Sequence, residues 1–65
     1  MRVRYFADTD TLLIQFRDAP VAETRELDEN TNLDVDASGN ICAMTIEHAS
    51  TRADAPKFSY EQVAA

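Results

Sequence analysis

Three polar residues of the stretch LDVDASGNI are spaced like the first ligands of a calcium-binding loop. Asp34, Asp36 and Ser38 alternate along the chain, as do the ligands at positions 1, 3 and 5 of an EF-hand loop. The twelfth position of such a loop requires a bidentate glutamate, and here it is Thr45. Gly39 is the one glycine of the chain and lies three residues after Asp36, which is typical of a turn between two strands. We therefore expect a turn and no metal ion, with Asp34, Asp36 and Ser38 as the residual metal candidates.

Cys42 and His48 carry the side chains of a nucleophile and its general base. They lie six residues apart in a segment of period-two patterning, so an extended strand holds them roughly 20 Å apart, at about 3.3 Å per residue. Proton transfer between them needs a separation of about 3 Å. We expect no catalysis by this pair within one chain. Cys42 is expected to be a small buried hydrophobe, and His48 an exposed or capping residue.

Two pairs of carboxylates, Asp8 with Asp10 and Asp34 with Asp36, have the two-residue spacing that places both groups on one side of an extended chain. Paired carboxylates at about 7 Å do general acid and base chemistry in glycosidases. No aromatic platform or second polar cluster accompanies them in this sequence. The pattern therefore favours roles in turns and in solubility.

The elements that must position these residues are predicted from alternating apolar residues. Period-two patterning predicts strands over residues 2–6, 11–16, 21–27, 33–36 and 41–47. The third stretch also fits a weak helix, and we favour a strand because the neighbouring hairpins and Thr24 suit a sheet. The polar stretches between the strands contain typical turn residues.

The end of the chain has the pattern of a short helix. Ser59 can cap it, Gln62 follows three residues later, and Phe58 can staple against Val63. The predicted fold is α+β and mainly β: an antiparallel meander of four to five strands with a short C-terminal helix. Residues 1–50 form the sheet domain. Residues 51–65 are a linker and a helix that packs on the sheet or on a partner subunit.

The segment 41–47 is apolar at both even and odd positions, which favours a central strand or one covered on both faces. A turn at Asp36–Asn40 predicts that Leu33, Val35, Ile41 and Ala43 share one face, and that Cys42, Met44 and Ile46 share the other with Asp34. We expect this second face to form an interface, covered by the C-terminal tail or by a second subunit. The predicted interface residues are Phe6, Leu13, Cys42, Met44, Ile46, Phe58, Tyr60 and Val63.

The composition restricts the partners and the setting. A chain of 65 residues with a single cysteine forms no internal disulfide, and we expect a reducing, cytoplasmic location. No apolar run is long enough to span a membrane, and no signal peptide is expected. A net charge of −6 disfavours nucleic acid. It would steer a basic protein partner to the surface, but it also keeps a small protein soluble, and we favour this second interpretation. Because so small a domain has little core and no disulfide or metal to stabilise it, we expect a homodimer.

The run from Arg4 to Ser50 resembles a small bacterial family, the domain-of-unknown-function family twenty-two eighty-three. Its pattern is roughly Y-D-x-x-x-D-x-L-Y-I-x-F, then E-T-x-E-x-D, then D-x-D-x-x-G-x-[IV]-x-G-[IL]-E-I-L-x-A-S. The residues that fall on it are Tyr5, Asp10, Leu12, Ile14, Phe16, Glu23, Thr24, Asp34, Asp36, Gly39, Ile46, Ala49 and Ser50. The chain departs from the pattern at Phe6, Leu13, Ala43 and Thr45, where the family has Asp, Tyr, Gly and Glu. The chain therefore lacks two carboxylates of the pattern.

The resemblance implies a small antiparallel sheet without an established activity or catalytic residues. It also implies that such chains are candidate partners of small toxin-like proteins encoded beside them. We expect a non-enzymatic interaction module that forms a homodimer and needs no cofactor. One alternative is an antitoxin-like partner of a basic toxin. Another is a small hydrolase or metal-binding protein that uses Asp34, Asp36, Cys42 and His48.

Overall fold

Alternating apolar residues build one five-stranded antiparallel sheet in the computed structural model, which describes residues 1–64. A single helical turn follows the last strand. The strands are β1 (Arg2–Phe6), β2 (Thr11–Gln15), β3 (Glu23–Asp28), β4 (Thr31–Val35) and β5 (Ile41–Glu47), and the helix is α1 (Ala49–Arg52). The predicted fold class, mainly β with a short helix towards the C-terminal end, is confirmed.

The strands lie in the order β1-β2-β5-β4-β3, so the last strand is central. The hairpin β1-β2 and the three-stranded meander β3-β4-β5 are joined by residues 16–22, which run along one end of the sheet. Phe16 and Arg17 donate backbone N–H bonds to the carbonyl of Cys42, and Ala22 donates to the carbonyl of Val35. The central position of β5 confirms the prediction made from its apolar composition.

The stretch from Asp36 to Asn40 is a turn, as its sequence predicts. One carboxylate oxygen of Asp36 accepts the backbone N–H groups of Ser38 at 3.0 Å and Asn40 at 2.9 Å. Gly39 has a φ of +85°, a conformation that costs a residue with a β-carbon free energy. The loop is thus held by its own backbone and by the carboxylate of Asp36.

A β-bulge beside this turn changes the predicted faces. Val35 lies opposite Ile41, as a turn closed at Asp36 and Asn40 requires, but Asp34 then lies opposite Ala43. Cys42 is the extra residue of the bulge. Beyond the bulge, each residue of β4 pairs one position later in β5 than a regular hairpin would allow. The prediction that Leu33 and Val35 share a face with Ala43 is therefore wrong.

The corrected register follows from the paired residues of neighbouring strands, which point to the same side of a sheet. Leu33 lies opposite Met44, and Met44 lies opposite Ile14. Asp34 shares the other side with Ala43. The central residues of β4 and β5 thus alternate in phase, apolar to one side and polar or small to the other.

The helix does not lie where it was predicted: α1 spans Ala49–Arg52, whereas the predicted helix would follow a cap at Ser59. No regular secondary structure is found over residues 59–64, and Ala65 lies outside the described residues. The predicted staple does not form, since Phe58 and Val63 are 63% and 73% exposed. Helix nucleation is unfavourable in a segment this short unless the segment docks on another part of the protein. The helix α1 is docked in this way, because Asp10 and Asp28 bind its two ends. None of the helices within residues 1–64 is long and apolar enough to cross a membrane.

The molecule is one sheet thick, measuring 36 × 31 × 17 Å. Among residues 1–64, the buried apolar residues are Val35, Cys42, Ala43 and Ala49, all of them small. None of the described Leu, Ile, Met or aromatic side chains is fully buried. Hence one chain alone encloses very little core.

Candidate interaction surface

Nearly all the large apolar residues of the sheet point to one side. One row across the sheet consists of Val3, Ile14, Met44 and Leu33 on four neighbouring strands, and a second consists of Tyr5, Leu12, Ile46 and Thr31. Val35 and Cys42 extend this side towards the turn. We call it the apolar face, formed by Val3, Tyr5, Leu12, Ile14, Leu33, Val35, Cys42, Met44 and Ile46.

The apolar face is only partly covered. Val35 and Cys42 are buried, at 2% exposure each, and the other seven residues of the face remain half-buried. Within the five strands, charged side chains reach this side only on the edge strand β3, where Glu23 and Arg25 form an ion pair with 3.3 Å between Nε and Oε1. The centre of the face therefore has the uncharged, apolar character of an interface core.

The opposite side of the sheet is polar or charged at most positions. Arg4, Leu13 and Thr45 lie in one row across it. Phe6 also lies on this side, 37% exposed, with the Arg4 guanidinium 5.1 Å from its ring centre. The prediction that Phe6 and Leu13 share one surface with Met44 is wrong. Met44 pairs with Ile14, so the odd-numbered residues of β2, including Leu13 and the Thr11 that pairs with Phe6, point to the other side.

The C-terminal segment borders the apolar face without closing over it. Residues 53–58 and the side chains of Val3, Tyr5, Leu12 and Ile14 line a cleft of about 200 Å³. A neighbouring cleft is lined by Met1, Val3, Phe58 and Tyr60. Phe58, Tyr60 and Val63 are 63%, 76% and 73% exposed. Their side chains thus enlarge the apolar surface at the β1 edge.

Asp10 connects the first hairpin to the helix. Its carboxylate accepts the hydroxyl of Tyr5 at 2.6 Å, the hydroxyl of Ser50 at 2.7 Å and the backbone N–H of Ser50 at 3.0 Å. Its carbonyl oxygen accepts the backbone N–H of Ala49 at 2.9 Å. The hydrogen bond from Tyr5, followed in importance by that from the Ser50 hydroxyl, lowers the pKa of the Asp10 carboxyl below its usual value. The bond between Tyr5 and Asp10 also raises the pKa of Tyr5. The carboxylate is therefore occupied in fastening α1 to the sheet.

A second bond fastens the other end of α1. Arg52 donates to the carboxylate of Asp28 at 2.6 Å, at the end of β3. Asp28 also accepts the backbone N–H of Asn30 at 2.8 Å, and this bond is the main cause of its lowered pKa. The helix consequently lies along one end of the sheet, tied to the β1-β2 loop and to the β3-β4 turn.

The predicted metal candidates do not converge. Asp34 accepts the hydroxyl of Thr24 at 2.7 Å across the β3-β4 pair. The Asp36 carboxylate accepts hydrogen bonds from the backbone of its own turn, and the bond from Asn40 is the main cause of its lowered pKa. Arg17 forms an ion pair with the same carboxylate, with 3.5 Å between Nη1 and Oδ2. Among residues 1–64, no three His, Cys, Asp or Glu side chains are grouped closely enough to hold a metal ion.

Cys42 and His48 lie at opposite ends of β5. Cys42 is buried on the apolar face, as predicted, and its thiol is 3.9 Å from the carbonyl oxygen of Asn40. His48 follows the end of the strand, exposed, with a φ of 54° at the start of α1. A seven-residue strand separates them by about 20 Å. One chain therefore does not bring this nucleophile and this base together.

The link between Tyr5, Asp10 and Ser50 was missed by the analysis of motifs, which considered Asp10 only as a partner of Asp8. Residues 5, 10, 49 and 50 all fall on the family pattern, and the structure places them in one cluster. The occurrence of all four residues in the family pattern was the only sequence signal that could have pointed to this cluster. Nothing in local spacing connects positions 10 and 50.

Comparison with known proteins identifies a family. The family model described as "Protein of unknown function (DUF2283)" matches residues 2–50, which is most of the chain and the whole of the sheet. No curated protein and no solved structure gives a significant match.

Proposed function

The chain belongs to the DUF2283 family, and from that premise we propose that it is a non-enzymatic protein-interaction module that acts as a homodimer. In this proposal the apolar face is the principal interface, and a second copy of the chain covers it. The aspartates serve turns, the anchoring of α1 and solubility.

The observation that carries the proposal is the incomplete burial of the apolar face. A sheet with one apolar side must bury that side against another layer. Here the other layer is absent from the single chain: none of the large side chains within residues 1–64 is fully buried. The face reaches across four strands without a charged residue. A second sheet packed face to face would supply the missing layer.

The non-enzymatic part of the proposal is supported by the placement of the reactive side chains. The Asp10 carboxylate accepts two hydroxyls and a backbone N–H, and the Asp36 carboxylate accepts two backbone N–H groups. Cys42 and His48 are separated by the length of β5. Two clefts that border the C-terminal segment are lined largely by apolar residues of the sheet and of that segment. These features favour recognition over chemistry on a substrate.

A second candidate function is neutralisation of a basic protein partner, as an antitoxin does. It is favoured by the net negative charge of the chain and of the exposed edge strand β3, which carries Glu23, Glu26 and Asp28 against one arginine, Arg25. Such an edge attracts a basic surface. Co-expression with a basic protein encoded beside it, followed by pull-down at moderate salt, tests this candidate, and failure to recover a complex counts against it.

Light scattering on the eluting peak of a size-exclusion column tests the homodimer. We expect a mass of twice 7.3 kDa at micromolar concentration. Raising the salt to about 0.5 M should leave that mass unchanged, because an apolar interface is not screened. A mass of one chain throughout would rule the proposal out.

A further inference from the structure

We propose that residues 58–64, which we call the C-terminal arm, pack against the apolar face of the second copy. This inference rests on the proposed homodimer and specifies the part of each chain that completes the interface. Each arm would leave its own sheet at the β1 edge and lie across the sheet of its partner, so that one two-fold axis relates both contacts.

The exposure of the arm is the first argument. Phe58, Tyr60 and Val63 leave 63%, 76% and 73% of their surface exposed, although the half-buried apolar face lies beside them. An arm that packed on its own sheet would bury these side chains there. Instead a cleft lies where Met1 and Val3 meet Phe58 and Tyr60. The apolar side chains of the arm are thus available to another chain.

The size of the sheet face is the second argument. Four strand widths of about 4.8 Å and strands of about 17 Å give a face of roughly 330 Å² in projection. A stable interface takes about 800 Å² from each partner. A buried aromatic side chain adds about 150 to 250 Å² of accessible surface, so Phe58 and Tyr60 would enlarge the contact considerably. The arm would thus bring the interface closer to the area of a stable dimer.

The length of the arm is the third argument. Seven residues span up to roughly 23 Å when extended, more than the roughly 19 Å width of four paired strands. Phe58 and Tyr60 are two residues apart and therefore project to the same side of an extended chain. An arm that starts at the β1 edge can cross the whole apolar face of a partner. It carries a single charged side chain, Glu61.

Sedimentation equilibrium on a double variant of the full chain tests the inference. Phe58→Ala with Tyr60→Ala should weaken the dimer at least roughly 100-fold in Kd, because aromatic residues dominate interface energetics. The matched control is Val21→Ala with Leu27→Ala, two exposed apolar residues at 52% and 56% exposure outside the apolar face. The control should stay within about threefold of the parent. Equal Kd values for the arm variant and the parent would overturn the inference.

A second measurement uses the unaltered chain and does not depend on how variants fold. In a dimer mixed from isotope-labelled and unlabelled chains, a filtered NOE experiment detects only contacts between chains. We expect contacts between the rings of Phe58 or Tyr60 and the methyl groups of Leu33 or Met44. If the chain is monomeric, the proposed function itself fails. If it is dimeric and the rings contact only their own chain, the dimer stands and the arm assignment fails.

Discussion

Leu33 of β4 lies directly opposite Met44 of β5, and this pairing places both side chains on the apolar face. One bulged residue, Cys42, separates this register from the one in which Leu33 would lie opposite Ala43. The bulge therefore gathers the large apolar residues of β4 and β5 on one side of the sheet. It makes that side wide enough to be an interface and leaves the other side polar.

The side of the sheet decides the effect of a new charge. Met44→Glu places a carboxylate on the apolar face, where an uncompensated buried charge costs about 3 to 5 kcal/mol. We expect this variant to be monomeric by sedimentation at concentrations where the parent is dimeric. Leu13→Glu is the matched control, since Leu13 is also half-buried in an inner strand but on the other side. Loss of the dimer in both variants, or in neither, would contradict the assignment of the interface.

The turn depends on the conformation of Gly39. Its φ of +85° is unfavourable for a residue with a β-carbon, and no atom outside the two neighbouring residues lies within 4 Å of where that carbon would be. Gly39→Ala should therefore lower the free energy of unfolding by about 1 to 2 kcal/mol through backbone strain alone. Ser38→Ala, a change at an exposed side chain of the same turn, should stay within about 0.5 kcal/mol. Urea unfolding measures both, and equal midpoints for the two variants would refute the role of the glycine.

The attachment of α1 is tested by a double-mutant cycle. Asp10→Asn keeps a residue that tolerates the positive φ of 53° found at this position but weakens the bonds from Tyr5 and Ser50. We expect Asp10→Asn and Ser50→Ala each to lower Tm, and the second change to add almost nothing once the first is present. Additive losses would mean that the two side chains do not act together.

Stability should fall in acid. The pKa values of Asp10, Asp28 and Asp36 are lowered in the folded chain, chiefly by hydrogen bonds from Tyr5, Asn30 and Asn40 respectively. A carboxyl with a lowered folded-state pKa binds fewer protons than in the unfolded chain, so its contribution is complete above the unfolded pKa of about 4. That contribution is lost as the pH falls through the folded-state value. Tm measured from pH 7 to pH 2 should be level at first and decline below about pH 4. Asp10→Asn should make the decline shallower, and an identical profile would contradict this origin.

Most of the sheet was predictable from the sequence because alternation is a local property. Strands β1 and β2 follow from their period-two patterns, the central position of β5 follows from its apolar composition, and the turn at Asp36–Asn40 follows from one aspartate and one glycine. The faces of β4 and β5 were not predicted correctly, because a bulge adds one residue without a sequence signal of its own.

The helix illustrates the opposite case, in which a local signal is overridden. Ser59 and Gln62 form a capping pattern, yet nothing docks the segment and no helix forms over residues 59–64. Ala49–Arg52 has no such capping side chain, and it is helical because Asp10 and Asp28 bind its two ends from distant parts of the chain. Contacts between positions 10 and 50 depend on the strand order, which local patterns do not determine.

The central claim is that the fold is stabilised by an apolar face shared between two chains. The most direct test is thermal unfolding of the full chain over protein concentrations from about 1 μM to 1 mM. When folding and association are coupled, Tm rises with concentration, here by about 5 °C for each tenfold increase. A Tm that is independent of concentration over the whole range would contradict the account.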